Sequence, residues 1–442
     1  MSQSTYRSAR ELADLIRRRE ATAAEVLDAH LDQVAKRNPE LNAVVSLDAD
    51  RAREAARAAD LAVERGEPLG PLHGVPLTLK DCHDAAGLRT TVGTPVLDRT
   101  PAEDGTVAAR LREAGAVVIG HTNVPPFLSA YTSENEIFGL TSNPWDTART
   151  PGGSSGGAAA ALAAGMTPVE VGSDLAGSIR LPSHYCGVYG LKTTEHRVAM
   201  TGYFGPRGEP NPVRVLSAIG PMARDLDDLE LVLRLISGPD GADFDVPPVP
   251  LPERRPLRLD GLRLATALEL PGAEVEESLR AQVSRVAAAC ADAGAAVESR
   301  LPGLDWDEQS ALLELMTAVT SAFVPGMEQR TLAWYLERLH RRDALAADWD
   351  RFFTDWDALL LPPATTTAFA HGADAGTAGA VMLFANFAGL PALTVPAGFD
   401  ADGLPIGLQI VGPRWSEIRL IAIAAALEEA GILPGFTRPP GF

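Results

Sequence analysis

Cysteine is scarce: Cys82, Cys186 and Cys290 are the three in 442 residues, and no two stand at a CxxC spacing. That excludes a disulfide framework and a structural zinc site. Basic charge is in deficit, with 39 Lys and Arg against 58 Asp and Glu and a formal net charge of −19. Such a surface offers no footprint for a phosphate backbone or an anionic bilayer, so neither nucleic acid nor membrane is an expected partner. Long apolar runs are missing too. No window approaches the roughly 18 residues that a membrane-crossing helix needs, and the opening MSQSTYRSARELADLIRRRE has no signal-peptide core. These absences lead to the expectation of a cytoplasmic protein. What remains, 46% hydrophobic and 22% charged residues, is enough for a large folded core.

Ser8-Ala-Arg-Glu11 and Thr22-Ala-Ala-Glu25 fit the capping box, so residues 1–65 read as a helical part. From Gly74 the texture changes. GVPLTLK reads as a short apolar strand, and TVAARLREAG followed by AVVIG as a helix running into a buried strand, which makes 66–240 an α/β core. Residues 201–216, TGYFGPRGEPNPVRVL, read as a surface loop. The proline cluster DVPPVPLPERRPLR (245–258) opens an excursion over 241–375 that is expected to form part of a substrate pocket. Residues 376–442 return to the core: LPALTVPAGFDADGLPIGLQIVG reads as a hairpin turning at Asp402-Gly403, and EIRLIAIAAALEEAG as a closing helix.

The stretch from Thr150 to Gly187 holds eight glycines and five serines. A Gly/Ser linker would have no helical run AAAALAAG and no strand PVEVGS between its glycine clusters. Each cluster instead falls at a boundary between regular elements, where backbone N–H groups are free to form a concavity for an anion, as Leu175-Ala176-Gly177-Ser178 could. A Walker-type phosphate loop needs GxxxxGK[ST] and GxGxxG is also absent, so an oxyanion beside a serine nucleophile is the better companion. Gly152-Gly153-Ser154-Ser155-Gly156 matches the GxSxG nucleophile elbow, but the polar SNPWDTARTP ahead of it is no buried strand. His340 lies in a charged helix and His371 in a Gly/Ala loop. Without a histidine base another proton acceptor is needed, and Lys80, ending the apolar strand, is the best candidate: burial disfavours its charged form. Cys186, in apolar surroundings, reads as inert packing, and His83 and His184 as structural.

LHGVPLTLKD, TPGGSSGG and GSDLAGSIRLPSHYCGVYGLKTT, in that order, resemble the amidase signature family. AGAVVIGHTN, NPWD, SAIGPMARDLDDL, NFAGLPALTVPAG and LPIGLQIVGP extend the likeness over most of the chain, and it loosens over 201–216 and about 240–375. The resemblance implies an α/β fold in one large domain, a central twisted mixed sheet flanked by helices on both faces. It implies Ser178 as nucleophile, Lys80 as the ultimate base and Ser154 as the bridging serine behind a cis peptide bond, with no cofactor and no metal. The N–H groups of Leu175, Ala176, Gly177 and Ser178 are the expected oxyanion hole, Ser155 is expected to orient Lys80, and Asp174 and Arg180 to pair and hold the turn. An apolar substrate pocket is expected from Ser129, Ala130, Tyr131, Thr132, Gly153, Ile179, Tyr203 and Phe204, with LLELMTAVTSAF (312–323) and 384–387. Ala176 stands where the family commonly has glycine. HTNVPPFLSAYTSENEIF departs from the more acidic version of the transamidating members. The expected activity is hydrolysis of small-molecule carboxylic amides, with carbamates and esters also open to an acyl-enzyme route, by a monomer or homodimer. The alternative is the glutaminase component of a tRNA-dependent amidotransferase complex, and a third reading is a non-catalytic binding module.

Overall fold

Both capping boxes close. Ser8 Oγ accepts the Glu11 N–H at 3.1 Å while Glu11 takes the Ser8 N–H at 2.9 Å, starting the helix Ala9–Arg17. Thr22 and Glu25 do the same for the helix Ala23–Leu41. The structure, a computed structural model, describes residues 4–205, 211–306, 308–321 and 330–442. Residues 206–210 of the expected surface loop and the last two residues of the 312–323 wall lie outside them.

The helical expectation for the first 65 residues misses one strand, β1 (Val44–Leu47). It pairs antiparallel with β3 (Val117–Thr122), Val44 opposite Thr122 and Leu47 opposite Gly120, with a bulge at Val45. β3 also pairs in parallel with β2 (Pro76–Lys80), so the two apolar strands read from the sequence build a three-stranded sheet of their own, order β1-β3-β2. Periodicity identifies strands but not their neighbours, and it gave no sign of this second sheet. β4 (Glu134–Asn135) and β5 (Gly139–Leu140) form a small hairpin.

The main sheet is built from β6 (Val169–Asp174), β7 (Tyr189–Lys192), β8 (Ala218–Ala223), β9 (Arg263–Thr266), β10 (Ala296–Ser299), β11 (Ala358–Leu361), β12 (Ala392–Phe399) and β13 (Pro405–Val411). Its order is β10-β9-β11-β13-β12-β7-β8-β6. β10, β9 and β11 run parallel and the remaining pairings are antiparallel, which makes the sheet mixed. Residues 241–375 therefore supply one end of this sheet as well as helices.

Alternation along the strands divides the interior. Leu360, Leu393 and Ile410 enter a core with Leu229 and Val232 of the helix Leu226–Ile236 and Leu420 and Ile423 of the helix Glu417–Glu429. Leu359, Leu361, Ala392 and Val411 face a second core with Leu181, Tyr185, Trp349 and Phe384. Trp349 and Phe384 stack there with centroids 4.5 Å apart. Helices thus cover both faces, and the fold is a single large α/β domain. Among the described residues no helix is long and apolar enough to cross a membrane.

Candidate active site

The two sheets meet where β2 ends beside β6. All five residues of β2 are buried, so Lys80 carries its amine into the interior, and its side chain is 0% exposed. Three oxygens surround Nζ: Ser154 Oγ at 2.8 Å, Ser173 Oγ at 2.9 Å and the Ser173 carbonyl at 3.2 Å. Burial pushes the Lys80 amine down to about 8, against the opposing influence of Cys82, Asp174 and Glu170.

Ser154 is reached through a cis Gly153–Ser154 peptide bond. Gly153 has no room for a side chain, since a Cβ there would stand 2.2 Å from the Thr132 carbonyl oxygen and 2.5 Å from that of Ala130. The helix Gly156–Ala163 follows immediately. Ser155 makes no hydrogen bond to Lys80, contrary to expectation. Its hydroxyl donates to the Ser173 carbonyl at 3.4 Å, and its N–H to the Ser178 carbonyl at 3.1 Å. That last bond ties the Ser154 turn to the Ser178 turn, and Ser178 itself is 7% exposed.

β6 runs into the Leu175–Ser178 turn, and the helix Arg180–Cys186 leaves it. A buried ion pair spans the turn: Arg180 Nε donates to Asp174 Oδ2 at 3.0 Å and Nη2 to Oδ1 at 2.8 Å. The other guanidinium protons go to the Met382 carbonyl and Gln409 Oε1, each at 2.8 Å, and to Asn386 Oδ1 at 2.5 Å, so all five donors are used. Burial alone would raise the Asp174 carboxyl, but Arg180 holds it well below the usual range.

Asp174 also changes the expected oxyanion hole. Its Oδ1 accepts the Gly177 N–H at 2.8 Å, so that donor is committed to the turn itself. The N–H groups of Leu175, Ala176 and Ser178 take no acceptor among the described residues. Gly177 adopts φ +107°, whereas Ala176 stays outside the left-handed region, so a methyl is tolerated at 176 and not at 177. A Cβ on Gly177 would also lie 2.4 Å from Met382 Cε.

The expected pocket residues divide. Tyr131 donates its hydroxyl to the Ala176 carbonyl at 3.0 Å, and Ala130 and Thr132 back Gly153. Ser129 is exposed and its hydroxyl is turned onto the Pro126 carbonyl at 2.8 Å. Ile179 is fully buried in a core with Ala158, Leu162 and Met222, and its N–H serves Asp174 at 3.1 Å. Tyr203 and Phe204 belong to the large core, with Tyr203 against the His83 ring at 5.6 Å. An aromatic pair is equally at home in a core and in a pocket, and sequence alone does not separate the two.

Ser173, Gln409 and Met382 were missed, and Asn386, expected in the pocket wall 384–387, instead serves the Arg180 ion pair. Nothing local marks these roles, because the partners are set by strand pairing and, for Gln409, Met382 and Asn386, by chain more than 200 residues away. His83 and His184 are neutral structural groups: burial pushes His83 down to about 3 and His184 to about 4. Gly407 N–H donates to His184 Nδ1 at 2.9 Å while Nε2 faces the Thr366 carbonyl at 3.1 Å, which fixes its tautomer. Burial raises the Cys186 thiol, so it is no nucleophile.

Known proteins agree with this architecture. The family model described as Amidase matches residues 25–323 and 308–421. A glutamyl-tRNA(Gln) amidotransferase chain of Moorella thermoacetica, the A component of that enzyme, is 35% identical over 96% of this chain and 96% of its own length. Among solved structures, the peptide amidase of Stenotrophomonas maltophilia is 28% identical and superposes with a TM-score of 0.86, covering 98% of each chain. A bacterial aryl acylamidase of the same family is 26% identical, with a TM-score of 0.86 and 96% coverage of both chains. A match that spans both sheets and the buried lysine between them shows that the chain belongs to the amidase signature family of enzymes acting on carbon–nitrogen bonds.

Proposed function

We propose that the protein cleaves carboxylic amides through an acyl-enzyme on Ser178, with Ser154 relaying protons to and from Lys80. The observation that carries this reading is the buried Lys80 amine 2.8 Å from Ser154 Oγ, on a turn hydrogen-bonded to Ser178. Of the three oxygens at Nζ, the Ser173 carbonyl can only accept, while both hydroxyls can donate or accept. A neutral amine can therefore donate to Ser173 and receive the Ser154 proton in its lone pair.

Ser178 Oγ attacks the substrate carbonyl; its proton passes to Ser154, whose own proton moves to Lys80. The oxyanion meets the free N–H groups of Leu175, Ala176 and Ser178, each donor typically worth about 2.7–4 kcal/mol. Collapse of the tetrahedral intermediate breaks the C–N bond as the relay returns a proton to the leaving nitrogen. Water, deprotonated along the same relay, then releases the acid.

The acyl donor has two readings. The curated relatives are named as components of glutamyl-tRNA(Gln) amidotransferases, which supports glutamine as donor and partner subunits that receive the ammonia, more than it supports a stand-alone small-molecule hydrolase. The stand-alone reading is favoured by one observation: the segment beside the Ser178 turn, 376–389, is uncharged, and it seats Met382 against Gly177. Such a wall suits an apolar acyl group better than the α-ammonium and α-carboxylate of glutamine.

Mass-spectrometric mapping of a fluorophosphonate adduct tests the shared chemistry: an adduct on Ser178 supports it and labelling elsewhere rejects it. Turnover of anilides, primary amides, carbamates and esters by the purified chain, set against glutamine with candidate partner subunits, separates the two donors.

A further inference from the structure

β6 carries a second buried carboxyl that this scheme leaves unused. Glu170 is 1% exposed, and its Oε1 accepts from Thr122 Oγ1 at 2.8 Å and its Oε2 from the Val171 N–H at 2.7 Å. Thr122 lies opposite Lys80 in the parallel pairing of β2 with β3. Glu170 is thus seated against the strand end that presents the amine. Two other buried carboxylates have guanidinium partners, Asp174 with Arg180 at 2.8 Å and Glu417 with Arg197 at 3.0 Å. Among the described residues Glu170 has none, and the cation whose charge acts on it is Lys80. Burial pushes its carboxyl up to about 7.

Resting on the reading of Lys80 as base, we propose that Glu170 is a positioning residue for that base: the carboxylate held by Thr122 is the fixed counter-charge that sets the pH at which Lys80 gives up its proton. A negative charge favours the ammonium form, so Glu170 opposes the burial that drives the amine toward neutrality. The other groups around Lys80 leave this task open. Asp174 is neutralised by Arg180, and Asp81 turns to the Thr91 N–H at 2.9 Å and to His121 at 3.8 Å. Burial pushes the Cys82 thiol up to about 12 and His83 down to about 3, and it raises the Tyr203 phenol, so all three are neutral near pH 7. Ser154 and Ser173 contribute hydroxyls without charge.

The test is the pH dependence of kcat/KM in Glu170→Gln and Thr122→Val. The glutamine can keep both contacts, its oxygen on the Val171 N–H and its amide donating to Thr122, whose own proton turns to the Leu79 carbonyl 3.4 Å away. The acid limb is expected to move to lower pH by about one unit in Glu170→Gln, the lower end of what a neighbouring opposite charge does. Thr122→Val, which weakens the hold on the carboxylate, is expected to move it the same way and carries the test should the glutamine variant not fold. A limb that stays in place or moves to higher pH overturns the proposal. Lys80→Met is measured alongside: a retained acylation burst there refutes Lys80 as base, whereas a lost burst with an unmoved limb refutes the role of Glu170 alone.

Discussion

Replacing Arg180 with methionine isolates what the buried ion pair does. Methionine roughly fills the volume of the aliphatic stem but returns none of the five hydrogen bonds, two of which neutralise Asp174. Asp174 and Arg180 are both 0% exposed, so solvent does not screen the loss. Breaking a buried pair from one side costs about 3–5 kcal/mol, because a charge is left without compensation. Against a total stability of roughly 5–15 kcal/mol that is a large share, and it is read as a lower urea midpoint. Arg180 holds the Asp174 carboxyl below its unfolded value, so the pair's contribution is present at neutral pH and lost as pH falls through the depressed folded value. In Arg180→Met that protection disappears, and acid unfolding begins at a higher pH. Activity suffers separately, since Asp174 holds the Gly177 and Ile179 N–H groups on either side of Ser178, and a displacement near 1 Å in such a turn costs about 100-fold in kcat/KM. The double variant Asp174→Leu/Arg180→Met leaves no unpaired charge and is expected to regain part of the stability without regaining activity. A single variant that loses less than about 1 kcal/mol and keeps kcat/KM within about twofold would refute the assignment of this pair to the turn.

Gly177→Ala puts a methyl at φ +107° and against Met382; kcat/KM should fall at least about tenfold by the backbone shift alone, and Met382→Ala on top should not restore it, as it relieves the contact and not the dihedral. Tyr131→Phe deletes the hydrogen bond to the Ala176 carbonyl, and the loss of about 0.5–1.5 kcal/mol should lower the urea midpoint accordingly, with kcat/KM falling as the Ser178 turn loosens. The Lys80 amine, lowered to about 8 in the fold, binds fewer protons than the unfolded chain between about pH 8 and 10; its share of stability therefore rises with pH over that window, and urea titrations of Lys80→Met should show a shallower rise than the wild type. The same deprotonation predicts that kcat/KM climbs through about pH 8, and a plateau already reached at about pH 6.5 would contradict a lysine base.

Much of the scaffold was legible in local pattern. The capping boxes, the apolar strands ending at Lys80 and Asp174, and the hairpin turning at Asp402-Gly403 each follow from spacing that one segment carries within itself. The reactive candidates were legible because a lysine ending an apolar strand and serines on glycine turns are unusual placements. The environment of each was not. Lys80 meets Ser154 across 74 positions and Ser173 across 93, and Arg180 meets Gln409 across 229. Such pairs depend on which strands become neighbours, which the period of hydrophobicity does not specify.

The sequence by itself determined the α/β alternation, the acidic surface and the family, because those reside in residue type and short-range order. The tertiary structure alone decided that β2 joins a separate sheet, that Tyr203, Phe204 and Ile179 are core, that the Gly177 N–H belongs to Asp174, and that Glu170 lies against the strand end bearing Lys80. Each of those depends on where a buried polar or aromatic group finds its partner, and only packing brings partners from distant segments within hydrogen-bonding reach.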